Sequence, residues 1–343
     1  MQIYTPSNNP YIFGYDDLID ILKTRYLSDK MPQSILLHGP KGVGKATFSY
    51  HLARYLCQGQ PENFQVSQAS PLFAQVSQGA CESLKVLDRN TKGQDKKTRT
   101  ISIDSVRQIV QFLQTTARND QWRIVIIDSV DELHHKAANA LLKTLEEPPR
   151  KTLIILISHS LGRVLPTLKS RCWHFGKAFL NDQAMTHAVK HLLLPIDKIE
   201  QEFYLEYAMG CPGRMISLMS LGGRKFYEDF LKVMDGIIKD DLRPALSFID
   251  KIQNRDNTEE FYERFFNFFT WWLGHFLISS TQNLKIHPQE SMIIKNLHQK
   301  HSQNFWLHFW QHTTRLLADI EEISLDHRAV LTSLFYAMAY GRI

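Results

Sequence analysis

Gly39-Pro40-Lys41-Gly42-Val43-Gly44-Lys45 follows the apolar run Ser34 to His38 and precedes a helix-forming stretch from Thr47 to Cys57. The spacing is G-x-x-x-x-G-K in a strand-loop-helix setting, the context in which that motif has chemical meaning. Glycines let backbone N–H groups close around phosphate oxygens at the positive end of the following helix, and a lysine adds a point charge for the outer phosphates. A chance glycine turn is the competing reading, and the flanking strand and helix weigh against it.

Two positions in the same nominal site lack the group that hydrolysis needs. After Lys45, phosphate loops of this type carry Ser or Thr for Mg²⁺, but here the residue is Ala46 and the hydroxyl comes one position later, at Thr47. One residue along a helix turns a side chain by about 100°, so Thr47 cannot simply take over. The apolar strand Ile124 to Ile127 ends in Asp128, a metal-supporting position, and is followed by Ser129 where a water-orienting carboxylate is expected. Asp131 and Glu132 lie three and four positions beyond Asp128 and miss the strand end. The site therefore reads as a vestigial nucleotide site, with binding of ATP and magnesium weak or absent and no cofactor required.

Outward from the loop, Leu18, Ile21, Leu22 and Tyr26 recur at helical spacing, and further strands are expected near Leu84 to Leu87 and at Leu153 to Ile157. Helices are expected around Val106, Ile109, Val110 and Leu113, and from about His134 to Glu147, where Pro148 and Pro149 stop the second one. Continuously apolar strands alternating with helices describe an α/β parallel sheet covered on both faces. The polar stretch Gln58 to Gly79, with Pro61 and Pro71 and no periodicity, reads as an excursion from that core. After about Lys177 strand-like runs give way to helices broken at Pro195, Gly210 to Gly213, Gly222 to Gly223, Pro244 and Pro288. The expected division is a P-loop α/β domain over 1–177, a small helical lid over 178–223 and an all-α collar over 224–343.

Composition narrows the class. The chain has 343 residues, 43% hydrophobic and 22% charged, which suits an ordinary globular protein of two or three units. A formal charge of +5 over that length permits a nucleic-acid partner without arguing for one. Cys57, Cys81, Cys172 and Cys211 form no C-x-x-C pair and no apolar leader precedes them, so a reduced, cytoplasmic protein is expected. The most apolar stretch, Phe265 to Ile278, is interrupted by Asn267, Thr270, Gly274 and His275 and falls short of a membrane span.

From Ile126 through Asp128 to Ala138-Asn139-Ala140-Leu141-Leu142-Lys143-Thr144-Leu145-Glu146-Glu147-Pro148-Pro149, and again at Leu165-Pro166-Thr167-Leu168-Lys169-Ser170-Arg171-Cys172, the sequence resembles bacterial clamp-loader subunits of the AAA+ class, of the delta-prime type. That resemblance implies a P-loop sheet domain, a lid and a helical collar, and it gives Ser170-Arg171-Cys172 the role of presenting Arg171 as an arginine finger to a neighbour's ATP site. A guanidinium suits that role, being planar and permanently charged. The resemblance also places Arg214 at a lid arginine called sensor 2 and Ser158 near sensor 1, and matches Asp326 to Val330 to a segment late in the collar. Its implied partners are the gamma or tau and delta subunits, the sliding clamp and primed DNA. This family often carries a four-cysteine zinc module after the loop helix, and Cys57 and Cys81 alone cannot complete one, so no zinc is expected.

Alternatives remain at this stage. An active ATP-hydrolysing AAA+ motor would need Thr47 and Glu132 to serve by local rearrangement. A P-loop kinase would leave the Ser170 to Cys172 segment and the helical third without a role. His134 and His135, and His308 with His312, do not make a metal set. The aromatic run Phe261, Tyr262, Phe265, Phe266, Phe268, Phe269, Trp271 and Trp272 lacks interleaved cations apart from Arg264 and reads as helical core or subunit interface rather than a base-stacking surface.

Overall fold

The computed structural model describes residues 4–59, 63–88, 101–114, 121–192, 196–253, 258–279, 288–323 and 326–342. Pro61, part of the expected excursion, and Pro195, one of the expected breaks, lie outside them. The chain divides into two compact units, Met1–Pro195 with Met209–Gly213, and Ile196–Ala208 with Arg214–Ile343. Residues 178–223, expected as a lid, are shared between the two.

The first unit is the α/β layer the sequence implies. Its strands are β1 (Ser34–His38), β2 (Leu84–Leu87), β3 (Arg123–Ile127), β4 (Thr152–Ser158) and β5 (Trp173–Gly176), ordered β2-β3-β4-β1-β5 and parallel throughout. Every residue of β4 is buried, as a strand sealed on both faces requires. Alternation along the strands sends Ile35, Leu37, Ile124, Ile126, Leu153 and Ile155 to one face, where α1 (Asp16–Leu27) supplies Leu18 and Leu22 and α2 (Lys45–Gln58) supplies Phe48 and Leu52. Leu36, Val125, Ile127, Ile154 and Leu156 point to the other face, against α4 (Ile103–Gln114), α5 (His135–Glu146) and α6 (Pro166–Lys169).

Not every element was legible in the sequence. β5 has only four residues with alternating exposure, so Trp173 to Gly176 shows no apolar run, yet it pairs with β1 from Ile35↔Trp173 to His38↔Gly176. The polar stretch after α2 contains α3 (Pro71–Ser77), which begins with the Ser70 hydroxyl accepting from Leu72 N at 3.2 Å. Phe64 and Val76 from this stretch enter the core beside α2. Isolated apolar residues among glutamines and serines give no period to read, although each is buried.

The first unit continues after β5 into α7 (Asp182–Leu192), and the second unit is helical: α8 (Lys198–Ala208), α9 (Pro212–Leu221), α10 (Gly223–Ile238), α11 (Arg243–Gln253), α12 (Thr258–Ser279), α13 (Pro288–Lys300), α14 (Gln303–Ile323) and α15 (His327–Tyr340). The aromatic run of α12 forms its core. Phe265, Phe268, Phe269 and Trp272 are buried, and Phe230 of α10 meets Trp272 edge-on at 5.0 Å. The indole Nε1 of Trp272 donates to the buried Glu290 carboxylate at 2.8 Å. Among the described residues no helix is long and apolar enough to cross a membrane.

In the first unit the amino-terminal segment lies on α2. The Asn9 carbonyl is 3.0 Å from Nε2 of His51, Ser77 Oγ donates to the Ser7 carbonyl at 3.0 Å, and the Arg54 guanidinium lies 4.1 Å from the centre of the Phe73 ring. Burial, assisted by the Arg54 charge, pulls the His51 imidazole down to about 4. Because this folded value lies below the unfolded one, the contribution is intact above about pH 6.5 and is lost as pH falls toward 4, to a maximum of roughly 3 kcal/mol. The thermal midpoint should therefore fall between pH 6.5 and 4, and His51→Gln should make that fall shallower.

Candidate functional site

The parallel sheet brings the carboxyl ends of β1, β3 and β4 to one edge, where the glycine loop, Asp128 and Ser158 meet. Gly39 leaves β1 with φ +141°, and a Cβ there would stand 2.0 Å from the Lys177 carbonyl oxygen, because Lys177 N donates to His38 O at 2.8 Å and continues the β1–β5 pairing. Gly42 and Gly44 take φ near +90°, which glycine adopts without cost. Gly213 N donates to Gly42 O at 2.9 Å, and a Cβ on Gly213 would meet Gly42 Cα at 2.7 Å.

Lys45 opens α2, and its amine turns back on the loop, donating to Gly39 O at 2.6 Å and Pro40 O at 2.7 Å. Only 3% of the residue is exposed. Burial pulls the ammonium down to about 8, with the Asp128 carboxylate the strongest opposing influence. Ala46 packs against the α1–α2 side of the core, and Thr47 is half-buried. Asp128 Oδ1 is shielded and has no hydrogen-bond partner among the described residues, and burial raises its carboxyl despite Lys45.

Ser129 sits in the left-handed region at φ +64°, with Oγ 3.5 Å from His159 Nε2. Asp131 accepts from His159 N and Ser160 N, both at 3.1 Å, so its carboxylate ties the turn after β3 to the end of β4. Ser158 is buried and its Oγ accepts from Ser160 N at 3.1 Å. His159 was not singled out from sequence. Its only signal was a polar residue just past a continuously apolar strand.

These residues fit a phosphate cradle better than a magnesium-dependent catalytic centre. α2 begins without a side-chain cap, so its first N–H groups keep the donor character that binds anions. The metal position, however, offers Ala46 in place of a hydroxyl, and the Asp131 carboxylate is taken up by the backbone of His159 and Ser160.

Arg171 lies at the opposite edge of the sheet. It belongs to the turn between α6 and β5, with its N–H on Leu168 O at 3.2 Å and Cys172 N on Lys169 O at 3.2 Å. It precedes Trp173, which pairs with Ile35 at the amino end of β1, four residues or about 13 Å of extended chain from Gly39. Its Nε donates to Glu146 Oε1 at 2.7 Å, its Nη2 to the same oxygen, and its Nη1 to Thr167 O at 2.9 Å and to Ser170 Oγ at 3.3 Å. Cys172 packs beneath, and burial pushes its thiol up to about 12.

Arg214 belongs to the helical unit, where its guanidinium lies 5.1 Å from the Trp271 ring centre and donates to Ala208 O at 3.3 Å. Late in that unit the Asp326 carboxylate caps α15 through Arg328 N, and Arg328 reaches Asp250 Oδ1 at 2.9 Å and Gln253 Oε1 at 2.8 Å on α11. Among the described residues no cluster of three or more His, Cys, Asp or Glu side chains is placed to hold a metal ion.

Residues 14–177 match the family described as DNA polymerase III, delta subunit. The chain is 35% identical over 144 residues to the DNA polymerase III subunit delta′ of Pseudomonas aeruginosa, covering 40% of each chain. Over residues 14–177, just under half of its length, the chain is similar to clamp-loader delta-prime subunits. It is also 23% identical over 248 residues to the DNA polymerase III subunit gamma of Buchnera aphidicola, covering 72% of this chain and 59% of that one. Both matches span less than two thirds of the relatives' own length. A gamma subunit-related protein from Thermotoga maritima superposes with a TM-score of 0.46 at 18% identity, covering 94% of this chain and 98% of that chain. The α/β P-loop class expected from the sequence is borne out by the five parallel strands and the helical remainder.

The close approach at Gly39 can be tested directly. Gly39→Ala should force the ends of β1 and β5 apart and destabilise the chain by about 3 kcal/mol in urea unfolding. Gly162→Ala, where a Cβ meets nothing within 4 Å, should change stability by less than about 0.5 kcal/mol.

Proposed function

We propose that this chain is a clamp-loader subunit of the DNA polymerase III assembly that does not hydrolyse ATP itself and supplies Arg171, held by Ser170 and Cys172, as an arginine finger to a neighbouring ATPase subunit. The observation that carries this reading is the position of Arg171 at the sheet edge remote from the chain's own glycine loop. A guanidinium there is remote from the nucleotide site of its own chain, so a nucleotide can reach it only from another molecule. The glycines, Lys45, Thr47 and Asp128 are then the remains of a nucleotide site, needing neither ATP turnover, magnesium nor zinc, and Arg214 is the lid arginine that the resemblance implies.

In this reading the chain works in the cytoplasm in a hetero-oligomer with gamma or tau and delta subunits, and meets the sliding clamp and primed DNA through that complex. Residues 178–223 act as its lid and 224–343 as its collar. The likeness to a gamma subunit supports an alternative, an active motor subunit, because that match extends over more of the chain than the delta-prime match does.

Reconstitution with the motor and delta subunits of the same organism, clamp and primed DNA separates the two. The chain alone should show no ATPase activity, Lys45→Ala should leave the assembly's rate unchanged, and Arg171→Ala should remove the turnover of the one site it serves. In-trans fingers are worth roughly 10³ to 10⁵ in rate at their own site. ATPase activity of the isolated chain that Lys45→Ala abolishes would establish the motor instead.

A further inference from the structure

Glu146 is the last residue of α5, at the helix end where aligned peptide dipoles disfavour an anion. Glu147 follows it, then Pro148 and Pro149, and Lys143 is the basic residue in that last turn. Local helix energetics therefore give no reason for a carboxylate here, and a broken local rule without local compensation points to a role elsewhere. The partner is Arg171, 25 residues on, whose Nε and Nη2 both donate to Glu146 Oε1 while Thr167 O and Ser170 Oγ take Nη1.

The Nε–Nη2 edge of a guanidinium is one of the faces that fork onto carboxylates and phosphates alike. Here that edge is already held by an anion of the same chain. The pair is also half in water, with side-chain exposures of 30% for Arg171 and 49% for Glu146. A contact of this kind is weak and exchangeable, so a more highly charged anion presented by a neighbour can displace it.

We propose that Glu146 is a positioning residue that latches Arg171 in cis, standing in for a phosphate until a neighbouring subunit's nucleotide takes the guanidinium away. The proposal rests on the reading of Arg171 as a finger acting in trans. Glu146 thereby sets how readily the finger engages, without touching nucleotide itself. The trade is one anion for another at the same guanidinium edge, with no bond made or broken.

The test uses the reconstituted assembly with the full chain as wild type, Glu146→Gln, Glu146→Asp, Arg171→Ala and the double variant Glu146→Gln with Arg171→Ala. Removing the latch should raise kcat/KM for ATP about two- to fivefold, the range that loss of one exposed ion pair permits. Glu146→Asp, which keeps the charge on a shorter arm, should fall between wild type and Glu146→Gln. In the double variant the Gln substitution should have no effect beyond that of Arg171→Ala, a dependence that a purely structural role would not produce. If Arg171→Ala lowers the rate while Glu146→Gln leaves it unchanged or lowers it, the latch is wrong and the finger stands. If Arg171→Ala has no effect, the finger reading fails and the latch fails with it.

Discussion

Parallel pairing gives the sheet a polarity, and every other assignment in the first unit depends on it. All carboxyl ends of the strands reach one edge and all amino ends the other. The glycine loop follows β1 at the first edge, and Arg171 precedes β5 at the second. A nucleotide site built from the first edge and a cation offered from the second cannot meet within one molecule. They can meet between neighbours stacked in the same sense, which is the arrangement the proposed function requires.

The glycines of the loop are required by close backbone approaches within the fold. Gly39 is needed because the Lys177 carbonyl occupies the space of a side chain, and Gly213 because Gly42 does. Lys45 satisfies two loop carbonyls that burial would otherwise leave costly. These are demands of the fold and are independent of phosphate chemistry. A glycine-rich signature is therefore weak evidence of turnover on its own, and Ala46 and Ser129 are the residues that discriminate.

Much of this was legible in the sequence because burial on both faces writes itself as unbroken apolar runs, as in Ile124 to Ile127 and Leu153 to Ile157. β5 was not, because its alternate residues are exposed and its pairing with β1 depends on a distant strand. α3 was hidden for a related reason: at seven residues it is too short to show a helical period, although its Phe73 and Val76 are buried. At the site, sequence could show that Asp131 misses the strand end, but not that its carboxylate is bound to the backbone of His159 and Ser160. Long-range geometry of that kind leaves no periodicity behind.

Glu146 shows the same limit from the other side. In the sequence it is one acid in a stretch that resembles a family motif, and a helix C-terminus gives it no stabilising role. Its significance appears only when the chain returns through β4 and α6 to bring Arg171 beside it. Arginine can be held this way and still act because its guanidinium carries five donors and cannot lose its charge, so the contacts with Glu146, Thr167 and Ser170 fix the side chain's direction without neutralising it. A lysine in that position could not be both oriented along a planar edge and kept ready for a second anion. The pairing of a misplaced carboxylate with a forked cation is thus a more specific feature of this chain than the glycine loop that first draws the eye.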